Sequence, residues 1–94
     1  MPSKLTESEI ATKLAAFAGW SALGDHSIRR TFTFKDHIAA MGFVVRVAMA
    51  AEVLDHHPDL RIVYNRVEIV LNTHDAGGVT EKDFALAGRV DALV

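Results

Sequence analysis

Hydrophobic residues recur at helical spacing in three segments of this chain and alternate with polar residues in the stretches between them. In the first segment Thr6 precedes Glu9 in the spacing of a capping box, so a helix is predicted to begin after Thr6. Ile10, Leu14 and Phe17 follow at helical spacing. The predicted helix runs from about residue 7 to residue 17 and ends at Gly19.

Two stretches alternate with the period of a β-strand, and each predicts a hairpin. The first has a short apolar run at residues 20–23, a turn at residues 24–25, and SIRRTFTF, in which every second residue from Ile28 to Phe34 shares one face. The second consists of RIVY and RVEIVLNT with Asn65-Arg66 as the turn. In its second strand Val67, Ile69 and Leu71 face one way, and Glu68, Val70, Asn72 and His74 face the other.

The segment from Asp36 to Leu54 is the longest helical pattern and is apolar on nearly all sides. Beyond Ile38 only Arg46 and Glu52 carry a charge. One face holds Ile38, Met41, Val45, Ala48 and Met49; another holds Phe43, Val47, Ala50, Ala51 and Leu54. A helix that covers a sheet needs one apolar stripe. The pattern therefore predicts a second partner, most simply another subunit, and leaves open which face meets the sheet.

Two further signals complete the predicted fold. Pro58 is predicted to stop the long helix and to push His57 toward an extended conformation. Residues 75–78 are predicted to form a loop, after which Thr80 caps a final helix. The helix is predicted to contain Phe84, Leu86, Ala87, Val90 and Leu93. The order α-β-β-α-β-β-α predicts one α+β domain over residues 1–94, a four-stranded antiparallel sheet with three helices packed on one face.

Composition narrows the classes of function. The 94 residues carry 10 basic and 12 acidic side chains, and the net charge of −2 gives no electrostatic reason to expect nucleic acid or a membrane surface as a partner. The chain has no cysteine, which excludes a disulfide framework and thiolate chemistry. The N-terminal MPSKLTESEI is polar and lacks the apolar core of a signal peptide, so a cytoplasmic location is expected.

Side chains that could carry chemistry concentrate in the second half of the chain. Glu52 lies one helical turn before His56, and His56 and His57 adjoin at the predicted helix end. His74 follows the last strand, and Asp83 lies near the start of the last helix. Histidine moves protons near neutral pH because its ordinary pKa is about 6.5. Imidazoles around one pocket could protonate a leaving group and accept a proton elsewhere.

Each of these residues also has a structural interpretation. A histidine at a helix C-terminus can interact with the last carbonyls, and Asp83 stands at the spacing of a capping box after Thr80. Three histidines can bind zinc. Adjacent histidines before a proline usually point apart, however, and the chain lacks cysteine and H-x-x-x-H. An acid–base pocket without a metal is therefore the preferred interpretation.

The order and spacing of these residues resemble the motif of the pterin-4a-carbinolamine dehydratases, a family also called dimerization cofactors in animals. The motif here comprises Glu52, His56-His57-Pro58, Tyr64, His74 and Asp83. The resemblance extends over nearly the whole chain, through Gly19-Trp20, FTF, VAMAAE, VYNRVEIVLNTH and GGVTEKDFALA. Two positions depart from the family pattern. Leu60-Arg61 stands where members often have an aromatic pair, and Lys82 stands where arginine is frequent.

The resemblance implies an enzyme that dehydrates 4a-hydroxytetrahydropterin, which aromatic amino acid hydroxylases produce, to quinonoid dihydropterin. It implies no metal or organic cofactor, and a homodimer or homotetramer. It assigns His56 and His74 as acids on the two faces of the pterin and His57 as the residue that orients it. The residues implied to bind substrate or to support the histidines are Glu52, Pro58, Tyr64 and Asp83.

Two other functions remain open from the sequence. Animal relatives also act as transcriptional coactivators, so the chain could be a protein-interaction module. It could also bind a pterin for another task, such as molybdenum-cofactor metabolism. The complete histidine set favours the dehydratase.

Overall fold

The computed structural model describes residues 3–94, and their helices and strands follow the order that the sequence predicts. The elements are α1 (Glu7–Leu14), β1 (Ser21–Leu23), β2 (Ser27–Thr33), α2 (His37–Leu54), β3 (Asp59–Val63), β4 (Arg66–Leu71) and α3 (Glu81–Asp91), with a 3₁₀ turn at His74–Ala76 before α3. The capping box of α1 is formed, because Thr6 accepts from the backbone of Glu9 and Glu9 accepts from the backbone of Thr6. The hydrogen bond from the Thr6 backbone lowers the pKa of Glu9.

The four strands form one antiparallel sheet in the order β1-β2-β4-β3. In the central pair Ile28 lies opposite Leu71, and Phe32 lies opposite Val67. These four side chains are buried on one face of the sheet, together with Ile69. The helices cover this face, while Arg29, Thr31 and Thr33 on the other face of β2 are exposed. The predicted α+β fold, with its helices on one side of the sheet, is confirmed.

The structure decides which face of α2 meets the sheet. Phe43, Val47 and Ala51 are fully buried, and Phe43 packs against the rings of Phe32 and Phe34. The opposite face is open to solvent, with Ile38 83% exposed and Met49 65% exposed. By length and composition alone α2 could span a membrane. A core helix of a folded domain meets the same criterion, and the Phe43 face is core.

Two predicted boundaries of the first half are corrected. Helix α1 ends at Leu14 rather than Phe17, because Ala16 and Phe17 make tighter i→i−3 hydrogen bonds to Lys13 and Leu14. Phe17 still reaches the core side, where its ring lies 5.2 Å from that of Phe84. Gly19 is not the helix cap, but it does adopt a left-handed conformation with φ of 91°.

The turn between β3 and β4 is also corrected. It consists of Tyr64 and Asn65 rather than Asn65 and Arg66, because Arg66 pairs with Val63 as the first residue of β4. Tyr64 adopts a left-handed conformation with φ of 52°. Asn65 exchanges two hydrogen bonds with the backbone of Phe34, and these bonds anchor the turn to the end of β2.

The ends of the last two elements differ slightly from the prediction. Strand β4 ends at Leu71, so His74 lies in the following 3₁₀ turn rather than at the strand end. Helix α3 ends at Asp91, and Leu93 therefore lies beyond it.

Candidate active site

The end of helix α2 places His56 and His57. The sequence predicts that Pro58 stops this helix, but the helix ends earlier, at Leu54. Asp55 takes a left-handed conformation with φ of 50°, and the N–H of His56 then donates to the carbonyl of Ala51. This cap is a common way for a helix to end, because it satisfies carbonyls of the last turn. It turns His56 inward and leads the chain through Pro58 into β3.

Asp83 is a fully buried carboxylate at the start of α3. Its Oδ2 accepts the backbone N–H of Thr80 at 2.9 Å, which completes the predicted capping box. The same oxygen accepts the hydroxyl of Thr73 at 2.9 Å. A buried charge needs such donors, because water cannot solvate it. The two donors occupy Oδ2 and leave Oδ1 for another partner.

That partner is His56. Its Nε2 lies 2.6 Å from Oδ1 of Asp83, and only 10% of the His56 side chain is exposed. The structural and functional interpretations of Asp83 therefore hold together, since one oxygen caps the helix and the other holds the imidazole. A carboxylate held in this way orients a histidine.

His57 and Glu52 form a second histidine–carboxylate pair on the outside of the domain. Nε2 of His57 lies 2.8 Å from Oε1 of Glu52, while 58% and 80% of the two side chains are exposed. Water competes for both groups at such exposure, so the pair holds the imidazole less firmly than Asp83 holds His56.

His74 reaches the same cleft from the 3₁₀ turn after β4. The 3₁₀ turn that carries it is tied down by Thr73, whose carbonyl accepts from Ala76 and Gly77. The side chain of His74 is exposed and makes no hydrogen bond with another residue among 3–94. It is therefore available to a bound molecule.

One open cleft of about 490 Å³ collects the three histidines. It is lined by Asp55, His56, His57, Asp59, Asn72, Thr73, His74, Asp75 and Lys82. The cleft thus has imidazoles from two separate segments of the chain, one of them backed by a buried carboxylate. Such an arrangement can give a proton at one atom of a ligand and accept one at another.

Besides the buried Asp83, three of the predicted site residues stand outside the cleft lining. Pro58 is half-buried behind the histidines, and Glu52 is reached only through His57. Tyr64 directly follows the five-residue strand β3, whose first residue, Asp59, lines the cleft. At roughly 3.3 Å per residue, Tyr64 and Asp59 lie about 16 Å apart. The side chain of Tyr64 is 63% exposed, and its carbonyl accepts from Nδ1 of His37. Within one chain, Tyr64 does not join the cleft.

Of the two departures from the family pattern, one lies at the cleft and the other does not. Lys82 lines the cleft. Leu60 is half-buried against the core, and Arg61 is exposed on the open face of the sheet. Within the described chain neither of them lines the cleft.

Thr73 is the important residue that the sequence reasoning missed. A signal for it existed in the alternation of β4, because Thr73 continues the inward-facing series of Val67, Ile69 and Leu71. A hydroxyl at a core-facing position needs a hydrogen-bond partner. Asp83 is that partner.

Comparison with known proteins now identifies the family. The sequence profile described as pterin 4 alpha carbinolamine dehydratase matches residues 3–93. The chain belongs to this dehydratase family. A protein of Picosynechococcus sp. that carries the name pterin-4-alpha-carbinolamine dehydratase provisionally is 50% identical over 93 residues, which cover 99% of this chain and all of that protein.

Two solved structures that resemble this chain share its fold. A crystal structure from Brucella melitensis, described as a transcriptional coactivator/pterin dehydratase, has a TM-score of 0.92 and 44% identity and covers 97% of this chain and 98% of that one. A pterin dehydratase-like protein described as a RuBisCO assembly factor in the alpha-carboxysome has a TM-score of 0.68 and 27% identity, covering 80% and 88%. One protein with a similar structure is therefore described by an assembly role.

Proposed function

We propose that this chain dehydrates a 4a-hydroxytetrahydropterin to quinonoid dihydropterin and water. The observation that carries the proposal is the convergence of His56, His57 and His74 on one cleft, with His56 held by the buried Asp83. Family membership supports the substrate class. We infer no metal or organic cofactor, since the reaction needs only proton transfers.

The reaction breaks one C–O bond and moves two protons. The bond between C4a and the hydroxyl oxygen breaks, its electron pair leaves with the oxygen, and that oxygen takes a proton to become water. A ring nitrogen of the pterin loses its proton, and a carbon–nitrogen double bond forms at C4a. Acid–base assistance to such steps typically contributes about 10²–10⁴-fold to the rate.

The histidines divide these tasks by their surroundings. His56 lies at the end of α2 and His74 after β4, and both line the cleft. We propose that a flat pterin binds between them with an imidazole at each face. We propose them as the acids that protonate the departing hydroxyl, while water in the open cleft accepts the proton of the ring nitrogen and returns a proton to the imidazole. His57, exposed and paired with Glu52, orients the pterin.

The direct test is an optical assay with synthetic 4a-hydroxytetrahydropterin. The purified chain should accelerate formation of the quinonoid dihydropterin well above the uncatalysed rate. Coupling to a dihydropteridine reductase removes the product and keeps the signal linear. A rate equal to that of buffer with a folded protein would refute the proposal.

We further propose that the reaction recycles the pterin used by an aromatic amino acid hydroxylase in the cytoplasm. The hydroxylase makes the carbinolamine, and a reductase consumes the quinonoid product. Deleting the gene should slow growth that depends on hydroxylation of an aromatic amino acid. A hydroxylation-dependent phenotype that the His56→Ala chain rescues as well as wild type would argue against this role.

A protein-interaction role is the second candidate. It is favoured by the exposed apolar face of α2 and by the relative described as a RuBisCO assembly factor. The two candidates differ in their dependence on the cleft. An interaction module would keep its cellular function after His56→Ala and His74→Ala, whereas a dehydratase would lose it.

A further inference from the structure

We propose that Thr73 is a positioning residue: its hydroxyl acts through Asp83 to hold the proton of neutral His56 on Nε2, so that Nδ1 is the nitrogen that exchanges protons in the cleft. The proton exchange at Nδ1 rests on the proposed dehydratase function. The position of the proton on Nε2 concerns the imidazole alone and can be tested without any substrate.

With Asp83 ionised, the donors of the hydrogen-bond network around it can be assigned one after another. The backbone N–H of Lys82 donates to the hydroxyl of Thr80 at 3.2 Å, and the hydroxyls of Thr80 and Thr73 lie 2.6 Å apart. The hydroxyl of Thr73 lies 2.9 Å from Oδ2 of Asp83. A hydroxyl has one proton to give. Because Thr73 gives its proton to the carboxylate, the proton between the threonines comes from Thr80.

This hydrogen-bond network determines where the protons lie around Asp83. Oδ2 faces two donors, the Thr73 hydroxyl and the Thr80 N–H, and so has no room for a proton of its own. In the ionised form Oδ1 accepts as well, since a carboxylate has no proton to give. Its short contact with His56 is then a bond that Nε2–H donates to Oδ1.

A neutral imidazole has a single N–H, so a proton on Nε2 leaves the lone pair on Nδ1. Within residues 3–94 Nδ1 of His56 makes no hydrogen bond. His56 itself lines the cleft. When His56 is charged, loss of the proton on Nε2 would break the bond to Asp83. The proton on Nδ1 can leave with that bond intact.

Thr73 lies in the middle of this hydrogen-bond network, between Thr80 and Asp83, so loss of its hydroxyl interrupts the network. It is only 6% exposed, and Thr80 beside it is fully buried, so water does not replace a missing hydroxyl readily. Its backbone also holds the turn that carries His74, through bonds from Ala76 and Gly77. A valine at this position keeps a similar shape and the backbone bonds and replaces the hydroxyl with a methyl group, which cannot form a hydrogen bond.

The first experiment reads the tautomer of His56 by ¹⁵N NMR of the histidine-labelled full chain, without substrate, at a pH where the imidazole is neutral. Wild type should show a protonated Nε2 and an unprotonated Nδ1. Thr73→Val should show a mixture of both tautomers, and Thr73→Ser should restore the wild-type signals. Thr31→Val, on the exposed face of β2, is the matched control and should change nothing.

The second experiment measures steady-state kinetics of the same variants. Thr73→Val should lower kcat about tenfold, part of the roughly 10²–10⁴-fold that a well-placed acid supplies, with KM within about twofold of wild type. Thr73→Ser should recover most of kcat. A merely structural role would lower the stability of both variants without moving the imidazole signals.

Several results would overturn the inference. A wild-type His56 protonated on Nδ1 refutes it with no variant needed, which keeps the test decisive even when Thr73→Val fails to fold. A folded Thr73→Val protein with wild-type tautomer and kcat refutes it too. If wild type has no dehydratase activity, the proposed function fails, and the NMR signals still decide the role of Thr73.

Discussion

Nε2 of His56 lies 2.6 Å from Oδ1 of Asp83, and this contact joins the end of one helix to the start of another across 27 positions of sequence. The carboxylate belongs to the capping box of α3 and to the imidazole at once. Stability and the proposed catalysis therefore depend on the same buried group.

Replacing Asp83 by asparagine should separate these two roles. The asparagine oxygen can still accept from Thr80 and Thr73, but its NH₂ group then faces His56, so Nε2 must accept a hydrogen bond and the imidazole proton moves to Nδ1. We expect kcat to fall about 10²-fold, within the contribution of acid–base assistance. Stability should fall by about 1–3 kcal/mol, because a charged hydrogen bond is replaced by a neutral one. Steady-state kinetics and urea denaturation measure the two effects.

Asp91→Asn is the matched control for that change. Asp91 lies on the same helix and accepts from Trp20 and Arg30, far from the cleft. It should lower stability and leave kcat unchanged. A folded Asp83→Asn protein with wild-type kcat would contradict the proposed role of the pair.

His56→Ala and His74→Ala should each lower kcat by roughly ten- to a thousandfold, because each removes an acid from one face of the substrate. Both proteins should keep the fold, since neither side chain belongs to the hydrophobic core. The dehydration assay and circular dichroism check the two points. His26→Ala, at an exposed turn, should behave as wild type. Wild-type rates in both cleft variants would remove the histidines from the mechanism.

His57→Ala should chiefly raise KM. The side chain is exposed and held only by Glu52, so it is suited to contact the substrate rather than to place a proton. Glu52→Gln should have a smaller effect of the same kind, since an exposed pair contributes about 0–1 kcal/mol. The assay over a range of pterin concentrations separates KM from kcat. A loss confined to kcat would show that His57 is itself an acid or base.

Chelators should leave the activity intact. Among residues 3–94 no three histidine or acidic side chains are grouped so as to hold a metal ion. The rate should therefore be the same before and after dialysis against EDTA. Activity that disappears with EDTA and returns with zinc would establish a metal-dependent reaction instead.

The exposed face of α2 should bury itself against other copies of the chain, giving a homodimer or homotetramer. Burial of each Val- or Met-sized side chain is worth about 1.5–3 kcal/mol. This face carries several such residues: Ile38, Met41, Val45, Met49 and Val53. Sedimentation at micromolar concentration should show the oligomer, and Val45→Asp should dissociate it.

Ala85→Asp, on the exposed side of α3, is the control for that charge and should leave the oligomer intact. A wild-type chain that sediments as a monomer would contradict the prediction.

Much of the fold follows from local signals in the sequence. The capping residues Thr6 and Thr80 start their helices because a side-chain oxygen satisfies backbone N–H groups that no carbonyl can reach. The alternation of Val67, Ile69 and Leu71 places them in the core because side chains of a strand alternate between two faces. The spacing of the histidine motif was likewise readable, and the three histidines do converge on one cleft.

Only the tertiary structure decided which of these features meet. Both faces of α2 are apolar, so its sequence pattern could not choose the Phe43 face over the Ile38 face; packing against Phe32 and Phe34 made that choice. Tyr64 belongs to the motif by spacing, but the hairpin carries it to the far end of β3. The chain from Thr80 through Thr73 to Asp83 and His56 joins three separate elements. The local sequence pattern indicates the periodicity of each helix or strand. The hydrogen bonds between elements depend on how the folded elements pack against one another.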